Sequence, residues 1–188
     1  MADEHPEADV KGIDISPTQP TFIPPNCRFE VDDFNLEFLD DSKYDLIHER
    51  SLVGTIPDWP EFYRKCFNAL APGGWLDITE PEVTTYYSAA KNNQPFDALV
   101  SKEHPCHGNM ALFVEAARLN GMEADVAPKI EGWLSDAGFV NIQVNVYKAP
   151  IGIWPKNKKD KEVGAWNMLR LQTGLIGFYM RLGTSKLG

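Results

Sequence analysis

Cysteine is scarce in this chain of 188 residues. Its three thiols, Cys27, Cys66 and Cys106, lie far apart with no CxxC pair, which fits neither a disulfide framework nor a closed zinc site. Reduced thiols in an intracellular compartment, cytoplasmic or nuclear, are the simplest expectation. Positive charge is also in short supply. Eighteen Lys and Arg against 27 Asp and Glu leave a formal charge of −9, which repels phosphate backbones and anionic lipid and argues against nucleic-acid binding through bulk charge. The one dense basic run, from Lys156 to Lys161, also contains Asp160 and reads as a solvated loop leading into a helix. No stretch approaches the roughly 18 apolar residues of a membrane span. The acidic opening MADEHPEADVKG has no apolar segment of the kind a secretory signal needs. A soluble protein without a membrane span is expected.

With 43% hydrophobic and 24% charged residues, the composition is that of one globular domain, residues 1–188, with a substantial core. Short β-branched runs alternate with longer helical patterns, which points to an α/β architecture with a mostly parallel sheet. Strands are expected at Val10–Ile15, Cys27–Val31, Tyr44–His48, Trp75–Thr79 and Val140–Tyr147. Between the third and the fourth of these, Asp58 stands as an N-cap before Trp59, Phe62, Tyr63, Cys66, Phe67 and Leu70 at helical spacing. Pro72-Gly73-Gly74 is expected to end that helix. Further helices are expected at Asn109–Leu119, Val126–Ala137 and Asp160–Leu182, with an irregular loop from Pro81 to Gly108. Trp59, Trp75, Trp133 and Trp166 lie on apolar periodicities and are expected in the core, while Trp154, in an open loop, is a candidate substrate contact.

Read in order, VKGIDIS, RFEVDDF, YDLIHERSLVGTIPDW, LAPGGWLDITE and WLSDAGFVNIQV resemble the successive signatures that follow the glycine loop of a class I, Rossmann-type S-adenosylmethionine-dependent methyltransferase. GIDISPTQP, PPNCRFEVDDFN, IHERSLVGTIPDW and the PGGW turn narrow the resemblance to the fungal LaeA-like group, over roughly residues 4 to 182. The resemblance implies a Rossmann-like fold and S-adenosylmethionine as cofactor. It also implies methyl transfer to a small-molecule substrate of secondary metabolism, or a regulatory role in that metabolism. No glycine precedes Gly12, so the family's first strand and glycine-rich loop are expected to be missing from this chain, and its last strand as well. An incomplete sheet follows as an expectation: it closes up, or borrows strands from a second copy or from a partner subunit. The alternative function is then a cofactor-free pseudo-methyltransferase, either a small-molecule catalyst or a regulatory subunit.

Site residues come from the same comparison. Asp14 stands where the family's acidic residue accepts hydrogen bonds from the ribose hydroxyls; alone it also reads as a turn former before Ser16-Pro17. Asp32 and Asp33 stand where the adenine amino group is contacted, or they cap the segment that follows. His48, near the end of its strand, is the candidate general base, or else a histidine that orients a loop. Glu80 and Glu82 could orient a substrate, but carboxylates beside a proline more often line a solvated loop mouth. Glu103, His104, Cys106 and His107 cluster in sequence, but their spacing matches no common closed metal site, and no metal is expected.

Overall fold

The computed structural model describes residues 1–17, 19–36, 43–82 and 114–184, with side chains described to residue 174. The candidate metal cluster around Cys106 and most of the 81–108 loop lie outside the described residues.

Two parallel strand pairs form the β layer. Strand β1 (Val10–Asp14) pairs with β2 (Cys27–Val31), aligning Val10 with Cys27 and Asp14 with Val31. Lys11 bridges to Glu30 across this pair at 2.9 Å, and Arg28 reaches both Asp9 and Glu30. The first eight residues are tied down by Asn26, whose side-chain amide donates to the carbonyls of Ala2, His5 and Ala8. Strand β3 (Tyr44–Arg50) pairs with β4 (Leu70–Thr79). Among the described residues each strand has a single ladder neighbour. The described elements form an α/β, Rossmann-like arrangement with parallel pairing.

Helix α1 (Trp59–Ala69) follows from its sequence directly. Asp58 accepts the Glu61 N–H at 3.0 Å and Pro60 occupies the first turn, where its missing donor costs nothing. Trp59, Phe62, Tyr63 and Cys66 recur on one face and are buried. They pack against Ile47, Leu76 and Ile78 of the β3–β4 pair and against Ala116, Ala117, Val126 and Leu134 beyond the strands. Trp59, 1% exposed, lies parallel to Trp133 with ring centroids 6.3 Å apart. Trp133 is carried by helix α2 (Ile130–Ala137), which a short 3-10 turn at Ala127–Lys129 introduces. Gly138 ends α2 at φ 106°, a conformation that favours glycine, and a Cβ there would lie 3.0 Å from the Phe67 ring, which would have to give slightly. Residues 114–119 are helical, and α3 (Lys158–Thr184) forms the C-terminal helix.

Three expectations are corrected. Pro72-Gly73-Gly74 does not separate helix from strand: β4 starts at Leu70, directly after α1. The register passes from Tyr44 opposite Leu70 to Leu46 opposite Trp75, so the Pro-Gly-Gly segment is an irregularity within β4 that absorbs the extra residues. Val140–Tyr147 forms no strand. It alternates, but no neighbour among the described residues offers a ladder, and Val146 and Tyr147 are 77% and 86% exposed. Among the described residues, Phe139 and Ile142 anchor this stretch to the core. Trp75 and Trp166, expected inside, are 62% and 66% exposed, because the face of β3–β4 away from α1 and the outer side of α3 carry no covering layer among the described residues.

Replacing Trp59 by Ala removes the ring that joins α1 to α2 and is expected to cost about 3–5 kcal/mol of stability. Tyr63→Phe removes a buried hydroxyl that has no hydrogen-bond partner, so its expected effect is within about 1 kcal/mol of zero. Urea unfolding of the two variants beside the parent chain checks both; equal losses would mean that the α1 face is not the core.

Candidate functional site

Parallel pairing brings polar side chains together at the carboxyl ends of strands, because both strands of a pair end on the same side. Asp14 closes β1, and its carbonyl accepts the Asp32 N–H at 3.1 Å, so the two chain exits stay adjacent. The carboxylates are arranged by local bonds. Asp14 Oδ1 accepts the Ser16 N–H at 2.8 Å, Asp32 Oδ1 the Asp33 N–H at 2.8 Å, and Asp33 Oδ1 the Asn35 N–H at 2.9 Å. Each therefore holds its own turn with one oxygen and keeps the other as an acceptor. Asp14 is exposed, while Asp32 and Asp33 are half-buried. The turn-forming reading of these residues and the ligand reading are compatible, since a carboxylate has more lone pairs than one turn uses.

His48 lies on the other pair. Its Nδ1 sits 2.8 Å from Asp77 Oδ2, directly across the β3–β4 ladder. Both side chains are on the face of the sheet away from α1, shared with the Leu46–Trp75 and Arg50–Thr79 pairs. A carboxylate at Nδ1 fixes the ring so that Nδ1 donates and Nε2 is left to accept a proton. No described hydrogen bond or ion pair joins this dyad to the Asp14–Asp32–Asp33 group.

The opposite face of the same strand holds Glu49, which sequence reasoning did not single out. It is 5% exposed, and neither carboxyl oxygen meets a hydrogen-bond partner. Glu80 and the Tyr63 hydroxyl lie near enough to perturb it without reaching hydrogen-bond geometry. Burial, and next the neighbouring Glu80 carboxylate, push the Glu49 carboxyl up to about 9, so it is neutral at physiological pH. A signal for it existed. Alternation through Tyr44–Arg50 places residue 49 on the side of Ile47, which faces the core. Glu80 is half-buried, not a solvated loop mouth: its Oε1 accepts the Leu52 N–H at 2.5 Å and its Oε2 the Val53 N–H at 3.1 Å. Among the described residues no group of three His, Cys, Asp or Glu side chains is placed to hold a metal ion. No described helix is long and apolar enough to cross a membrane.

An α/β chain with parallel strands, carboxylates gathered at the adjoining ends of one pair, has the framework of a Rossmann-like domain. The chain belongs to the methyltransferase domain family, which matches residues 1–144. It is 38% identical over 189 residues to methyltransferase pytC of Aspergillus terreus, a match covering 100% of this chain and 56% of that protein. It is 33% identical over 182 residues to the secondary metabolism regulator LAE1 of Cochliobolus heterostrophus, covering 93% of this chain and 55% of the relative. It is 26% identical over 177 residues to the protein-methionine methyltransferase laeA of Emericella nidulans, covering 93% and 45%. The chain thus spans about half the length of the curated relatives it matches.

The buried Glu49 makes stability depend on pH in a definite sense. Its folded-state value lies above the unfolded one, so its contribution is complete below the unfolded value and is lost as pH rises towards about 9. Thermal unfolding across that window should show stability falling on the order of 1 kcal/mol per pH unit, and Glu49→Gln should flatten the fall. A parent chain whose melting temperature is level from pH about 5 to about 9 would show Glu49 ionised and solvated.

Proposed function

We propose that this chain serves S-adenosylmethionine-dependent methylation of a small-molecule metabolite in fungal secondary metabolism. The observation that carries the reading is the set of Asp14, Asp32 and Asp33 at the adjoining carboxyl ends of β1 and β2, in a chain that belongs to the methyltransferase domain family. These residues fit the adenosine half of the cofactor. Asp14, exposed and with one oxygen outside its own turn, is suited to accept from ribose hydroxyls, and Asp32 or Asp33 from the adenine amino group. When bound, S-adenosylmethionine supplies an electrophilic methyl group. The chain's task is then to place a nucleophile in line and to remove its proton where it has one. His48 is the proposed base, taking the proton at Nε2, and Asp77 holds the ring in the required tautomer and stabilises the imidazolium that results. The kinship to pytC and to laeA-type regulators supports the metabolic setting.

A second reading is favoured by the sheet. β1 and β3 each have one ladder neighbour among the described residues, and parallel strands are ordinarily flanked and covered on both sides. In this reading a second copy or a partner subunit completes the sheet, and the chain acts without cofactor, as a small-molecule catalyst or a regulatory subunit.

Calorimetric titration of the monodisperse chain with S-adenosylmethionine and with its demethylated product separates the two. The first reading expects binding that Asp14→Ala weakens by roughly tenfold or more, as the loss of charge-assisted hydrogen bonds predicts. In a methyl-transfer assay, Asp77→Asn should lower kcat with little change in KM. A folded chain that binds neither compound, and that associates with itself in sedimentation velocity, would replace the first reading with the second.

A further inference from the structure

The residues after β3 make a sharp turn whose backbone needs are unusual. Ser51 takes a positive φ of 60°, and its N–H bonds the Thr79 carbonyl at 3.0 Å. Leu52 and Val53, with Val53 buried, present their N–H groups to the two oxygens of Glu80, one each, at 2.5 and 3.1 Å. The Thr55 N–H and hydroxyl both donate to the Leu52 carbonyl, at 2.9 and 2.6 Å. Removing Glu80 would leave two donors in half-buried or buried backbone without a partner, a loss the fold has no other described group to repair.

The same turn is joined to the exit of β2. Asn35 donates its side-chain amide to the Thr55 carbonyl at 3.3 Å, and its own N–H goes to Asp33 at 2.9 Å. Lys65 of α1 donates to the carbonyls of Asn35 and Leu36, at 2.5 and 3.0 Å. A continuous set of hydrogen bonds therefore runs from Glu80 through residues 52–55 and Asn35 to Asp33.

Glu49 lies at the root of this set. On its side of the sheet stand Tyr63 and Cys66 from α1 and Glu80 just beyond β4, while Asp77 of β4 acts on it only from the opposite face, and none of these is a cation. Two carboxyls side by side under cover do not both ionise. Glu80 receives two backbone N–H donors, the setting that suits a carboxylate, whereas Glu49 receives none.

We propose that Glu80 is the positioning residue of the 51–55 turn, and through Asn35 of Asp33, and that Glu49 carries the single proton that allows the Glu80 carboxylate to be held there. Burial, which raises the Glu49 carboxyl to about 9, agrees with this. The buried Tyr63 hydroxyl is raised as well, and the Cys66 thiol is pushed up to about 12, so Glu49 is the first of the buried groups to lose its proton. When that proton leaves, two anions face each other, Glu80 turns towards solvent, and the Leu52 and Val53 amides lose their acceptor. The inference rests on the methyltransferase reading only for what the turn and Asp33 are positioned to hold.

The test reads the turn itself. Amide resonances of Leu52 and Val53, and the side-chain amide of Asn35, would be followed in the full chain from about pH 5 to about pH 10, a window that spans the ordinary and the raised carboxylate values. The expected result is one shared midpoint well above the ordinary carboxylate range in the parent chain. Glu49→Gln should keep the low-pH positions and show no midpoint, and Glu80→Gln should displace the Leu52 and Val53 amides already at neutral pH. Amides that stay level in the parent chain, or that move with the same midpoint in Glu49→Gln, would overturn the proposal. Should Glu49→Gln not fold, Glu49→Met gives the same comparison, and the parent titration decides without any variant. Absence of cofactor binding with the shared midpoint intact would remove the methyltransferase reading and leave this inference standing.

Discussion

The contact between α1 and the β3–β4 pair sets the place of the other described elements. Trp59, Phe62, Tyr63 and Cys66 fill the space between the strands, α2 and residues 114–126, and burial of this apolar face is the main favourable term available to the fold. β1 and β2 are held to that body through the loop after β2. Phe34 meets Phe62 edge to face at 6.1 Å, and Lys65 binds the carbonyls of Asn35 and Leu36. Where α1 does not reach, apolar side chains stay in solvent, as Trp75 on the far face of the sheet and Val146 beyond α2 show.

The same packing produces the electrostatics of the site. A strand has two faces, and β3 uses them for different ends. Ile47 and Glu49 go under α1, while Leu46, His48 and Arg50 face outward. The outward histidine keeps solvent access and takes Asp77 as partner. The inward glutamate loses its hydration and keeps its proton. The acidic side chain next to the histidine is thus kept neutral by burial first and by the neighbouring Glu80 carboxylate second.

Much of this was legible in the residues. The Asp58 cap, the helical spacing from Trp59 to Cys66, the stop at Gly138, and the runs VKGID and CRFEV fix local structure by steric and hydrogen-bonding rules that act within a few positions. The order of signatures from VKGIDIS to WLSDAGF was enough to identify the family. Asp14, Asp32 and Asp33 were named from the positions that the resemblance assigns to cofactor contacts, and they fall at the carboxyl ends of parallel strands. Less was legible where an outcome depends on a distant neighbour. The alternation of Val140–Tyr147 is a strand pattern, but a strand exists only against another, and none is described beside it. Pro72-Gly73-Gly74 has the chemistry of a stop, but pairing with β3 made it an irregularity inside β4.

Sequence by itself determined the helix faces, the strand segments, the acidic strand ends and the family, since each rests on side-chain type at fixed spacing. Tertiary structure alone decided which carboxyls are buried, which donors they receive and which group keeps a proton. Those properties depend on solvent exclusion and on charges brought together from positions such as 49, 63 and 80, and no local spacing encodes that meeting.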